Sequence, residues 1–282
     1  LLGFQIKYGI LIAFIVLITL FCFSLMFVFT GDRKFSDLFQ KQEAANPPAS
    51  QFGTSNDEVT PELSDLNVAL ERYNSLIGSK YLTIVNAEKP LSDQYDLGTL
   101  VEMTANPALK MEQTAAAQLE KLLSAATQAG YKYALLACYR DKEAQTTAFN
   151  TAVQENMNAG YTLEEAEILA KENVAVAGQS EFQTGLVVEL SGTRTMAAAE
   201  FEKTELYQFF MEHEYGFVLR YPQDKKHVTG YNYNPCIFRF VGDVQSSTYM
   251  HDHKLTLEEY YDYVQREKKV TEQKIEAAKT SE

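Results

Sequence analysis

Residues 8–31 contain no charged side chain, and within them the stretch GILIAFIVLITLFCFSLMFVF is almost wholly apolar. No other feature of the chain constrains its folding so strongly. An apolar run of this length crosses about 30 Å of hydrocarbon as a helix, which satisfies its own backbone hydrogen bonds where no water is present. A signal peptide has a shorter apolar region and ends in a small-residue cleavage site. Here GDRKF follows directly, and bulky Phe21 before Cys22 argues against lipid attachment at that cysteine. Residues 1–31 are therefore expected to form a retained, single-pass transmembrane anchor. Lys7 precedes the run, and Arg33 and Lys34 follow it. Taken alone, that charge pattern favours the orientation opposite to export of the C-terminal part.

After the anchor the pattern changes. Residues 32–60 are polar, contain Pro47-Pro48 and lack an apolar period, so they read as a flexible tether. Residues 61–79 read as an entrance helix, with Thr60 as N-cap, Pro61 at the first helical position, and Leu63, Leu66, Ala69 and Leu70 at helical spacing. Residues 80–267 carry the globular domain. In them the spacing predicts a strand over 81–85, an amphipathic helix over 106–130, and a buried strand running into Arg140. Helices over 141–157 and 161–173 follow, the second opened by a capping box from Thr162 to Glu165. A strand over 184–190, a helix over 197–216, an apolar segment over 217–222 left unassigned, and a strand over 231–242 come next. A last helix over 255–269 opens with a capping box from Thr256 to Glu259. The charged tail, residues 268–282, is expected to be solvated or frayed. Strands and helices mix without regular βαβ alternation, which predicts an α+β domain with a small antiparallel sheet flanked by helices.

Lys and Arg number 25 against 38 Asp and Glu, a formal net charge of −13. Such a chain does not hold nucleic acid by bulk electrostatics. There are three cysteines. Cys22 lies in the apolar run, which leaves Cys138 and Cys236 for the domain, and without a CxxC pair a zinc finger is excluded.

Four stretches point to a family. TIVNAEKPLSDQY reads as an entrance strand and loop, YRDKEAQ is similar to Tyr-Arg-x-x-x-x-Gln, and GQSEFQTGLVVEL is similar to Ser-x-His-x-x-Gly-x-x-x-Asp. YGFVLRYPQDKKHVTGYNYNPCIFRFVG, followed by LTLEEYY, is similar to a closing block that normally ends Glu-Pro-Trp-His-x-Arg. In content and order these resemble the VanY-type D-alanyl-D-alanine carboxypeptidases, zinc peptidases that trim cell-wall stem peptides. The resemblance implies a VanY-like peptidase fold, a zinc cofactor, a peptidoglycan stem peptide as partner and an extracytoplasmic domain. That location would set the N-terminus inside the cell, against the local charge pattern. It also implies substrate-binding roles for Tyr139, Arg140, Gln145, Ser180 and Gln183. Thr184, Gly185, Pro235 and Arg239 match the framework as well.

The chemistry positions do not match. Phe182, Glu189 and Ile237 stand where the resemblance places the three metal ligands, Asn234 stands at the general base, and Cys236 replaces the Trp. A catalytic zinc needs three protein ligands and a water, which it acidifies for a nearby base to deprotonate. A phenyl ring and an alkyl group have no lone pair to offer, one carboxylate cannot hold zinc against water, and an amide is no base at neutral pH. The expectation is therefore a pseudopeptidase that binds no metal, with a cell-wall-facing binding or structural role. Two other readings stay open: an active zinc D,D-carboxypeptidase with ligands relocated among His213, His227, His251 and His253, and a non-catalytic stem-peptide binding module. A subunit of a membrane complex is a further reading, with no protein partner named by the sequence.

Two pairings are left to geometry. Glu189 needs a partner if buried, and Arg140 is the natural one; alternatively, Arg140 still meets a peptide carboxylate. The family usually has Gly and Trp where Cys138 and Cys236 stand. Either the two form a disulfide in place of the metal's cross-link, or they pack as separate small side chains.

Overall fold

Short strands with alternating side chains build the centre of the domain. β3 (Ala134–Ala137), β4 (Val187–Ser191), β5 (Phe217–Tyr221) and β6 (Asn234–Phe240) form one antiparallel sheet in the order β3-β4-β6-β5. A separate hairpin, β1 (Leu100–Met103) and β2 (Asn106–Glu112), precedes it. The computed structural model describes residues 61–280 except Glu214. The expected anchor and tether, residues 1–31 and 32–60, lie outside the described residues. Among the described residues no helix is long and apolar enough to cross a membrane.

Among the described residues, seven helices of two turns or more accompany the strands: α1 (Pro61–Gly78), α2 (Gln113–Gln128), α3 (Lys142–Asn158), α4 (Leu163–Lys171), α5 (Glu205–Glu212), α6 (Val244–Asp252) and α7 (Leu257–Thr280). Single 3₁₀ turns stand at Lys80–Leu82 and Glu181–Thr184, and single α-turns at Ala198–Phe201 and Lys226–Thr229. The α+β architecture with a small antiparallel sheet agrees with the sequence reading.

Register decides which side chains reach which face. β4 pairs with β6 so that Val187, Val188 and Glu189 lie opposite Arg239, Phe238 and Ile237. Paired residues share a face and neighbours alternate. One face therefore carries Val188, Leu190, Phe238 and Phe240, which join Leu119, Leu122 and Leu123 of α2 in the main core. The other carries Val187, Glu189, Ile237 and Arg239, and this is the face of the candidate site.

Several elements differ from the sequence expectation. Residues 106–112 are the strand β2, not the start of the helix. Pairing of Val101 with Met111 buries Met103 and Met111 against α2, a gain that a helix over 106–112 would forgo. The helix begins where the Glu112 carboxylate accepts hydrogen bonds from Thr114 N and Ala115 N, at 2.9 and 3.0 Å. Residues 81–85 are not a strand. Ser79 caps a 3₁₀ turn there, and the extended residues that follow bond to side chains: Thr83 O accepts from Arg239 Nη2 at 3.1 Å. The helix expected over 197–216 is broken at Thr204, whose hydroxyl donates to Phe201 O and accepts from Tyr207 N. The tail is not frayed: α7 continues to Thr280, with Val264, Thr271 and Ile275 buried and its flank packed on α1.

Candidate functional site

The site forms where a 3₁₀ turn meets the second face of the sheet. Ser180 caps the turn, its hydroxyl accepting from Phe182 N at 3.3 Å. Gly185 ends the turn with φ +72°, and a Cβ there would lie 3.3 Å from Glu112 N and 3.2 Å from Leu97 and Leu100 side-chain atoms. The backbone must approach closely, because Glu112 N donates to Gly185 O at 2.9 Å. The turn thus aims Phe182 at the sheet. Phe182, Ile237, Val187 and Ala137 pack together, with Tyr221 against them. Burying a side chain of the Phe182 or Ile237 kind stabilises the fold by roughly 1.5–3 kcal/mol.

Arg140 closes this cluster. It follows β3, and its backbone N donates to Phe182 O at 3.1 Å. Its guanidinium lies over the Phe182 ring, 4.1 Å from the centroid, and Nη2 donates to Glu189 Oε2 at 3.2 Å. Glu189 lies opposite both Ile237 and Ala137 in the strand register. Burial raises the Glu189 pKa above the ordinary carboxylate value, and Arg140 opposes that rise without cancelling it. Phe182, Glu189 and Ile237 are thereby brought together, as the family resemblance requires of its three ligand positions. Their chemistry does not fit zinc: two have no donor atom, and the third has a cation for a neighbour. Among the described residues no group of three or more His, Cys, Asp or Glu could hold a metal ion. Asn234 begins β6, and its Oδ1 accepts from Cys236 N at 2.9 Å.

The other site residues named from the resemblance are engaged in holding the loop. Gln145 is buried, and its Nε2 donates to Ala175 O at 2.6 Å. Gln183 Oε1 accepts from Gly178 N at 2.6 Å. Tyr139 is half-buried, and its backbone N donates to Lys110 O at 2.8 Å. No disulfide joins Cys138 and Cys236, which are free and buried. Cys138 follows β3 and Cys236 lies on β6, and β4 runs between those strands. Alternate strands stand about 9–10 Å apart, beyond the roughly 7 Å that a disulfide spans between Cα atoms. Burial pushes both thiols up, Cys138 to about 12 and Cys236 to about 11.

Beneath the turn lies an ionic network that the sequence reading missed. Glu181 Oε2 accepts from Arg239 Nε at 3.1 Å, and Glu181 Oε1 lies 2.8 Å from Arg220 Nη2. Arg220 also grips both oxygens of Glu258 at the start of α7, at 3.1 and 2.6 Å. Arg239 further donates to Phe240 O. Glu181, Arg220 and Arg239 are all fully buried. Burial opposes ionisation of Glu181, but Arg220 and Arg239 outweigh it and hold the carboxyl below its ordinary value. The available signal was one arginine within each of the apolar strands FVLRY and CIFRF, since a charge so placed must find a partner.

Comparison with known proteins agrees with this geometry. The VanY family, described as D-alanyl-D-alanine carboxypeptidase, matches residues 108–243. A D-alanyl-D-alanine carboxypeptidase of Enterococcus faecalis is 31% identical over 216 residues, 76% of this chain and 77% of that protein. The structure of VanYB in complex with D-alanine-D-alanine superposes with a TM-score of 0.59 at 30% identity, covering 65% of this chain and 98% of the other. A variant of the D,D-pentapeptidase VanY from a VanB-type resistance cassette, in complex with Zn(II), gives a TM-score of 0.58 at 30% identity, covering 64% and 99%.

Proposed function

The chain belongs to the VanY D-alanyl-D-alanine carboxypeptidase family, and on that premise we propose that it is a member without peptidase activity, anchored in the cell membrane with its domain outside. One observation carries this reading: the packing of Phe182 against Ile237, with Arg140 over the ring and bonded to Glu189. The space and the carboxylate that a catalytic metal would need are taken up by apolar contact and an ion pair. The uncharged run over residues 8–31 supports the anchor. A cell-wall-facing role follows from kinship with enzymes of stem peptides.

A second reading has its own support. The Arg140 side chain remains 22% exposed, so a peptide carboxylate in the cleft could compete with Glu189 for it. The domain would then recognise stem peptides without cutting them.

The test is zinc content together with D-alanine release from a stem-peptide mimic, on the purified full chain. The expected result is no stoichiometric zinc and no release. One equivalent of zinc with turnover would overturn the reading in favour of relocated ligands. Binding of a D-Ala-D-Ala peptide that is lost in Arg140→Ala would establish the second reading. For topology, protease added to intact cells should release the domain by cutting within residues 44–60. Protection until the membrane is breached would place the domain inside the cell.

A further inference from the structure

The opposite face of the sheet borders a second hollow. A cavity of about 620 Å³ opens beside the edge strand β5, between that strand, α5 and the turn after α6. Its floor is apolar, with Phe210, Phe217, Phe238 and Met250 buried beneath it. Phe238 is the neighbour of Ile237 on β6, so this cavity and the candidate site lie on opposite faces. Small-molecule sites run roughly 300–1,000 Å³ and are mostly apolar, with a few polar groups that orient the ligand.

The mouth supplies the polar groups. Lys225 and Lys254 stand there with His251 and Asp252. Lys225 already holds both oxygens of Glu259, at 2.7 and 2.9 Å. Lys254 is exposed at the rim. The backbone around the mouth is also unusual. Tyr215, Asp224 and Lys254 are the non-glycine residues with positive φ among the described residues, at 42°, 62° and 53°. Tyr215 leads into β5, Asp224 sits between the lining residues Gln223 and Lys225, and Lys254 lines the cavity itself. Side chains with a Cβ disfavour such conformations, which gather where a site is held in shape.

We infer that this cavity binds an amphiphile with a hydrocarbon body and a single anionic head, the body on the floor of Phe217, Phe238 and Met250 and the head at Lys254. Lys225 is neutralised by Glu259, and Asp252 lies 3.7 Å from the His251 ring, so the exposed Lys254 ammonium is the charge that a head at the mouth would meet.

The test is photolabelling of the full chain with a diazirine-bearing fatty acid, with the labelled residues located by mass spectrometry. Label is expected in residues 217–225 and 250–255. Excess hexadecanoate or hexadecyl phosphate should displace it, and whichever does so identifies a carboxylate or a phosphate head. Methyl hexadecanoate, which lacks the charge, should displace it poorly. Lys254→Glu alters an exposed side chain, so the fold should survive, as thermal unfolding will check. It should lower the specific label roughly fivefold, the scale of one surface ion pair. Label absent from both segments, equal displacement by the methyl ester, or undiminished label in a folded Lys254→Glu protein would each overturn the proposal.

Discussion

Two clusters on one face of the sheet pair arginine with glutamate, and their glutamates, Glu181 and Glu189, lie eight residues apart in sequence. Glu181 joins Arg220 and Arg239 in full burial, whereas Glu189 meets Arg140 at the rim, with 27% of its side chain exposed. The carboxyl with two cations ionises more easily than an ordinary carboxylate; the one with a single cation ionises less easily. Burial is the largest opposing influence on both, so what differs is the number and closeness of the partners. The inner cluster ties the site turn to the start of α7 through Arg220 and Glu258, and so belongs to the scaffold. The rim cluster belongs to the cleft, where Glu189 lies opposite Ile237 and Arg140 covers Phe182. Breaking a scaffold ion pair strands a buried charge whatever happens in the cleft.

The largest expected effect is a gain. Phe182→His, Glu189→Asp, Ile237→His and Asn234→Glu together should confer stoichiometric zinc binding, since the strand register already sets residues 189 and 237 opposite one another. Each single change should do almost nothing, because zinc needs its ligands together. Metal analysis of the folded variant decides. A folded quadruple variant without zinc would mean that the rim cluster has lost the family geometry as well as its residues.

Next in size is Glu181→Gln. Removing one partner from a buried ion pair costs roughly 3–5 kcal/mol. Denaturant unfolding should show a loss of that order, whereas Glu189→Gln should cost about 1 kcal/mol or less, as expected of a partly exposed pair. Equal losses would erase the distinction between the clusters.

The two carboxylates should also respond to pH with opposite signs. The folded pKa of Glu181 lies below its ordinary value of 4.5, so its stabilisation is complete above that value. It is lost as pH falls through the lower, folded pKa. The folded pKa of Glu189 lies above 4.5, so its contribution is complete below that value and is lost as pH rises through the higher, folded pKa. Stability of the wild type measured against each Gln variant, from acid to neutral pH, should therefore diverge in opposite directions. Parallel profiles would refute the assignment.

The smallest effect is on the thiols. Cys138 and Cys236 should resist a thiol reagent in the native protein, because burial holds both pKa values near 11–12. Unfolding without reductant should release both. Failure of both to appear under those conditions would show that the strands had moved close enough to bridge.

Much of this was legible in the chain. The capping boxes at Thr162–Glu165 and Thr256–Glu259 are local, and both form as read. The short apolar runs of β4 and β6 are intrinsic to their residues, and so are the side chains at 182, 189, 234 and 237, which the sequence reading singled out from the motifs around them. Contacts between residues distant in the chain were decided by the fold. Residues 106–112 pair with β1, which competes with any local helical preference, and α7 extends over its charged tail, where it packs on α1 and has Thr271 and Ile275 buried. The distance between Cys138 and Cys236 depends on a strand inserted from elsewhere in the chain. The partners of Glu181 come from β5 and β6, some 40 to 60 residues away. Periodicity and capping act within a few residues and are written in the sequence; the pairing of buried charges and the spacing of strands depend on three-dimensional packing, and only the tertiary structure settles them.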